Sequence, residues 1–164
     1  MIVPDLLREG LSLVLCGTAP SRASKEALAY YAHPGNIFWK TLFDVGLTPR
    51  LVAPKDYANL LAWDIGLTDL NKTEWGADSE LSHAGFDVVA FSEKMRRYAP
   101  RVIAFDSKFA ASKFFGKKTI AYGLQSETLF DSALFVVPST SGRARNYFEI
   151  EHWRVLADLI NSLL

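Results

Sequence analysis

The chain holds a single cysteine, Cys16, among 164 residues. One thiol cannot close an internal disulfide, and it excludes a multi-cysteine metal or iron–sulfur site. Cys16 ends an apolar run, where a buried core thiol is expected rather than a reactive one. Long apolar runs are missing too. None approaches the roughly 20 residues that a membrane-spanning helix needs. No charged segment precedes an apolar stretch at the start, so no signal peptide is expected and a cytoplasmic protein is. Neither sign of charge is in excess: Lys and Arg number 18, as do Asp and Glu. Proteins that grip nucleic acid mainly by neutralising phosphates are usually basic. The balance argues against a large nonspecific nucleic-acid footprint. It leaves room for a compact site, because binding depends on where the charges sit. No internal repeat, low-complexity tract or linker is present. The length is about one domain's worth, and a hydrophobic content of 49% is ample for one core.

What is there alternates between two periods. Residues 11–16 read as a short buried strand closed by Gly17. Residues 101–105 and 133–137 read as further strands, the latter closed by Pro138. Asn36 is placed to cap a helix running through Ile37, Phe38, Leu42 and Phe43 to Gly46. Further helices are expected over residues 55–64, 82–98 and 107–115, with a last amphipathic one through Ile150, Trp153, Leu156, Ile160 and Leu163. Residues 71–82 form the longest loop-like stretch. Strands alternating with helices predict a single-domain, three-layer α/β/α sandwich around a mainly parallel sheet of about four strands. Ligands of such folds bind beyond the carboxyl ends of the strands.

Three strings carry the chemistry. Cys16-Gly17-Thr18-Ala19-Pro20-Ser21 follows the first strand. It lacks the spaced glycines of a dinucleotide fingerprint. Ala32-His33-Pro34-Gly35-Asn36-Ile37-Phe38-Trp39-Lys40 sets His, Pro, Gly and Asn before an aromatic helix start. Pro138-Ser139-Thr140-Ser141-Gly142-Arg143 presents an arginine on a small polar loop. The first and third begin where strands end, so they fall on one edge of the sheet.

In order and spacing these strings resemble the mismatch-specific uracil/thymine DNA glycosylases, a branch of the uracil-DNA glycosylase superfamily, over nearly the whole chain. The cysteine count separates the chain from the superfamily branches that carry an iron–sulfur cluster. The resemblance implies one glycosylase-like domain over residues 1–164. It implies a monomer that uses no cofactor or metal, and a partner that is double-stranded DNA with a damaged or mismatched base. In a bacterium the protein would associate with the nucleoid. The implied base pocket comprises Gly17, Thr18, Ala19, Tyr31 and Asn36. Tyr31 would stack on the flipped base, while His33 and Asn36 hold their loop and Phe38 and Trp39 belong to the core. The insertion loop would be Ser139, Ser141, Gly142, Arg143 and Arg145, with Arg143 entering the duplex and Arg145 and the hydroxyls on phosphates. Arg22, Lys25, Lys117 and Lys118 could add phosphate contacts.

One departure stands out. Ala19 occupies the position of the family's usual catalytic Asn, and a methyl group can neither donate nor accept a hydrogen bond. Gly66-Leu67-Thr68-Asp69-Leu70 aligns with a family segment that usually has Lys where Asp69 stands. A carboxylate there can activate a water and stabilise positive charge on the sugar, so Asp69 is the expected catalytic residue, with Asp64 next. His83 is expected to cap or pack. No lysine in these strings is placed to form a Schiff base, so the reaction expected is hydrolysis alone. Two other readings remain: a binding protein that senses damaged bases without cutting, and an enzyme acting on free nucleosides.

Overall fold

A computed structural model describes residues 1–163. Five strands form one sheet in the order β2-β1-β3-β5-β4. They are β1 (Leu13–Gly17), β2 (Ile65–Asp69), β3 (Val102–Phe105), β4 (Gly123–Leu129) and β5 (Ser132–Val136). β2, β1, β3 and β5 run parallel. β4 returns antiparallel to β5 through a hairpin. The three-layer α/β architecture is as expected, with one strand more than anticipated.

The period-2 alternation of a strand explains the layers. Leu13 and Leu15 of β1 face one core with Phe38, Trp39, Leu42, Trp153 and Leu156. Val14 and Cys16 face a second core with Phe91, Met95, Ile103, Phe105 and Leu134. The first face is covered by α2 (Phe38–Asp44) and α5 (Glu151–Ser162), the second by α3 (Val88–Tyr98) and α4 (Lys108–Phe115). A short α1 (Arg22–Ala27) follows β1. Cys16 is buried, as a core thiol should be.

Several elements differ from their sequence reading. Residues 65–69 form strand β2, although Gly66 and Thr68 mask the apolar pattern that would announce one. Its outer edge is closed by the N-terminal segment. Leu6 and Leu67 exchange both backbone hydrogen bonds, at 2.9 Å each. β4 was not anticipated because only alternate residues of it are sheltered. The helix expected over residues 82–98 begins only at Val88. Asp87 accepts from the backbone of Ala90 at 2.9 Å and so sets a new start. Residues His83–Gly85 make a separate 3-10 turn capped by Ser82, with His83 exposed on it. Pro54–Trp63 is a 3-10 helix, with Asp56 off helical geometry. Asn36 lies ahead of α2 rather than at its cap: Ile37 is the cap, and Asn36 Oδ1 accepts from the backbone of Phe38 at 2.9 Å. No helix of the described residues is long and apolar enough to cross a membrane.

Candidate active site at the carboxyl edge of the sheet

The parallel strands bring their carboxyl ends to one edge. Gly17 ends β1 in register with Asp69, which ends β2. Asp106 is the first residue after β3, and its N–H donates to the carbonyl of Cys16 at 3.0 Å. Pro138 opens the Ser139–Arg145 loop just beyond β5. The first and third strings therefore begin at the edge where the sequence places a site.

Gly17 is the centre of this edge. A methyl group built on its Cα would lie 2.7 Å from Asp69 Oδ1, 3.1 Å from Asp106 Oδ2 and 3.2 Å from the Tyr31 hydroxyl. No side chain fits there. Two carboxyls and a phenol converge on one point because that residue has none. Tyr31 donates its hydroxyl proton to Asp106 Oδ2. Its ring lies flat on Phe38, with centroids 3.7 Å apart and planes 10° from parallel. Tyr31 adopts a left-handed backbone with φ of 52°, which turns its side chain inward from an exposed loop.

Asp69 is 5% exposed. Its Oδ2 is the one buried side-chain oxygen without a hydrogen bond among the described residues. The nearest cation is Lys72, 3.9 Å away. Lys72 is committed elsewhere: it pairs with Asp5 at 2.9 Å and donates to the Val3 carbonyl at 2.9 Å. Asp5 also takes Lys94 at 2.5 Å and the Thr68 hydroxyl at 2.7 Å. Burial of Asp5 alone would raise its carboxyl, but Lys72, Lys94 and Thr68 outweigh it and hold the group below its usual value. Asp69 lacks such compensation. Burial, reinforced by the Asp5 charge and only partly countered by Lys72, lifts it to about 6. Burial also lifts Asp106 to about 7, the Asp69 charge adding to it and the Tyr31 hydrogen bond opposing. Burial thus lifts both carboxyls above the ordinary carboxylate range.

The loops around this centre are pinned from behind. The buried indole of Trp39 donates to the Tyr30 carbonyl at 3.1 Å, and that of Trp153 donates to the Pro138 carbonyl at 3.0 Å. Each large core side chain thus spends its polar end on a site loop. The two loops also hold each other. Ile37 N–H donates to the Thr140 carbonyl at 3.0 Å, and the Arg145 guanidinium donates to the Gly35 carbonyl at 3.1 Å. Arg145, expected on phosphate, here also links the two loops through one of its five N–H donors. Ser139 Oγ and Ser141 Oγ accept from the backbones of Ser141 and Arg143 at 3.2 and 3.3 Å. They shape the 3-10 turn Gly142–Tyr147 that leaves Arg143 exposed. Asn36 lies in the first of these loops, its N–H donating to the His33 carbonyl at 2.9 Å. Its Oδ1 is fixed, and its Nδ2 has no partner among the described residues.

At the rim, Thr18 donates its hydroxyl proton to Asp78 Oδ1 at 3.2 Å. Burial raises the Asp78 carboxyl, against Thr18 and the nearby Arg143 charge. Residues 71–82 fold over the first loop, Gly76 N–H donating to the Pro20 carbonyl at 2.9 Å. This sets Trp75 beside α1, with Lys25 Nζ 4.3 Å and Arg22 5.6 Å from its ring centre. Lys117 is tied to Glu127 of β4 at 2.7 Å. Asp64 is paired with Arg8 at a left-handed turn before β2, and so is spent on that turn.

Sequence reasoning missed Asp106, Asp78 and the Asp5–Lys72 pair. Asp106 carried a usable signal: it is the first residue past an apolar parallel strand. Ser107 caps α4, accepting from Ala110 N–H at 3.0 Å, which frees Asp106 for the site. Asp5 and Lys72 come from distant segments that only the fold brings together.

An acidic centre past the ends of parallel strands, walled by aromatics and rimmed by arginine loops, defines an α/β enzyme-like fold with one edge site. The chain belongs to the uracil DNA glycosylase superfamily, whose family description matches its residues 4–160. The fold is similar to a solution NMR structure from Methanosarcina acetivorans, a protein provisionally assigned as a uracil DNA glycosylase. The two are 22% identical, with a TM-score of 0.68 over 97% of this chain and 96% of that one.

Proposed function

We propose that the protein is a DNA glycosylase that flips uracil, or a related deaminated or modified base, out of duplex DNA and hydrolyses its N-glycosidic bond. A base mispaired with guanine is the favoured target, because a weak pair costs less to open. The observation that carries this reading is Asp69, a buried carboxylate whose Oδ1 borders the Gly17 space and whose Oδ2 has no hydrogen bond among the described residues. As the glycosidic bond lengthens, positive charge builds on the sugar, and a dry carboxylate stabilises it strongly. The same group can take a proton from the attacking water. It supplies what Ala19 lacks. Tyr31 has one face on Phe38, so a stacked base would use the other. The oriented Nδ2 of Asn36 can donate to a base carbonyl, and Arg143 is free to fill the gap in the duplex. Lys72 is held by Asp5 and Val3, which supports hydrolysis without a lyase step.

The test is a labelled duplex with one uracil opposite guanine, cleaved with alkali after incubation. The native protein is expected to cut, and Asp69→Asn to slow cutting at least about 100-fold. Native cleavage untouched by Asp69→Asn would remove Asp69 from its role. No cleavage by the native protein across a panel of deaminated and alkylated bases would favour a damage-binding protein.

A further inference from the structure

Residues 71–82 carry one large apolar side chain that the core does not take. Trp75 is 36% exposed. The turn that presents it is tightly built. Asn71 is buried. Its Oδ1 accepts from the backbones of Thr73 and Glu74 at 3.2 and 3.0 Å, and its Nδ2 donates to Glu74 Oε1 at 2.7 Å. The same Oε1 accepts from the Ser82 N–H at 3.0 Å. Gly76, on the other side of the indole, is bonded to Pro20. The indole is therefore held between two fixed residues. A lone exposed aromatic needs no explanation, but this one has cations on it. Lys25 Nζ lies 4.3 Å and Arg22 5.6 Å from the ring centre. They are three residues apart on α1 and so share one face of it. Arg22 has only Glu26 as an acidic partner among the described residues, at 3.8 Å and in solvent. The cluster stands at the rim that also carries Arg143: Asp78, three residues along, bonds Thr18 and has the Arg143 charge nearby.

We propose that Trp75, Arg22 and Lys25 form a stacking platform for an unpaired nucleotide of the lesion strand, the one next to the flipped base. This rests on the glycosylase reading. The indole takes the face of the neighbouring base, and the two cations take its phosphates. Stacking of this kind is indifferent to base identity, because every base has a π face. The cations add an attraction that salt weakens. A base inside an intact duplex has both faces covered by its neighbours. The platform therefore favours lesions whose neighbour is already unpaired, in a bubble, at a gap or in a single strand. Its place beside Arg143 fits this order of events: the arginine opens the duplex, and the indole holds the strand that has lost its partner.

The experiment measures equilibrium binding to labelled duplexes that carry a uracil nucleotide, blocked against cleavage by a 2′-fluorine, opposite guanine. The neighbouring nucleotide is either mispaired or replaced by a baseless spacer opposite the same partner, on each side of the uracil in turn. On one side, the native protein should bind the mispaired neighbour about 10-fold more tightly than the spacer. Trp75→Ala should bind the two alike. Lys25→Gln should keep the preference and lower the slope of log affinity against log salt by about one. Native protein that binds base and spacer alike on both sides overturns the proposal, and that measurement needs no variant. Trp75→Ala that weakens every duplex by one factor and keeps the preference also overturns it, since the indole would then only tie α1 to its neighbouring loop. The same duplexes with ordinary uracil are assayed for excision. If the native protein excises from none of them, the glycosylase reading fails, and the platform is decided by the binding data. If it excises and the spacer makes no difference to binding, only the platform fails.

Discussion

Asp69 and Asp106 hold protons that the same residues in an unfolded chain release near 3.8. Between that value and about 7 the folded state binds more protons than the unfolded one, so stability falls as pH rises across this window. Below it the two carboxyls are neutral in both states and cost nothing. Above it the full penalty of burying charge remains. Each tenfold change in proton affinity is worth about 1.4 kcal/mol. Asp106→Asn should therefore melt higher than the parent at about pH 8, by a margin on the order of 2 kcal/mol, and the gap should close toward about pH 4. Melting curves at both pH values check it. A variant that is uniformly more or less stable would mean that the charge of Asp106 is not what the fold resists. Asp106 shows how a site residue stays hidden. Its place after a parallel strand was readable, but an Asp-Ser pair before a helix looks like a cap. Only the geometry gives the capping to Ser107.

The strands that were legible, residues 11–16, 101–105 and 133–137, are apolar runs, broken only by Ser12 and the exposed Arg101, with side chains buried on both faces. β2 was not, because an edge strand of five residues with a glycine and a threonine has little pattern to show. Its burial comes from outside itself. Leu6 pairs with Leu67, and Gly66 lets the Leu6 carbonyl approach to 2.6 Å of where its Cβ would be. Asp5 then ties this segment to β2 through Thr68 and to α3 through Lys94. Asp5→Asn would leave Lys72 and Lys94 without their charge partner. The expected loss is about 2–3 kcal/mol in urea denaturation, less than for a fully buried pair because both lysines reach solvent. Freed from Asp5, Lys72 would also lean on Asp69 and lower its ionisation. The acid limb of the activity profile should move down in pH. A loss of stability without that movement would mean that Asp5 acts only as a tether.

Zero net charge hides a division of labour across the molecule. The centre of the site is acidic, with Asp69 and Asp106, and its rim carries Arg143, Arg22 and Lys25 around Asp78. A phosphate backbone would meet the rim first and be kept off the carboxyls. If Arg143 opens the duplex, Arg143→Ala should slow excision from double strands by about 10–100-fold, the scale of flipping a paired base. Single-stranded substrate has no pair to open, and its rate should hardly change. Parallel single-turnover assays on both substrates decide it; equal losses would make Arg143 a general contact. The site strings were legible at this scale because each sits at a strand end. The way residues 71–82 fold over them was not, since it hangs on single backbone bonds such as Gly76 to Pro20. The backbone exchange between Leu6 and Leu67 has one more consequence. Asp69 rides on the strand with a single neighbour in the sheet, and its outer flank is closed by the start of the chain. Peeling that flank away disturbs neither β3 nor β5. Opening of that flank alone would wet the Asp69 edge while the rest of the sheet stays intact, so hydrogen exchange at Leu6 and Leu67 is expected to be faster than in β3 and β5.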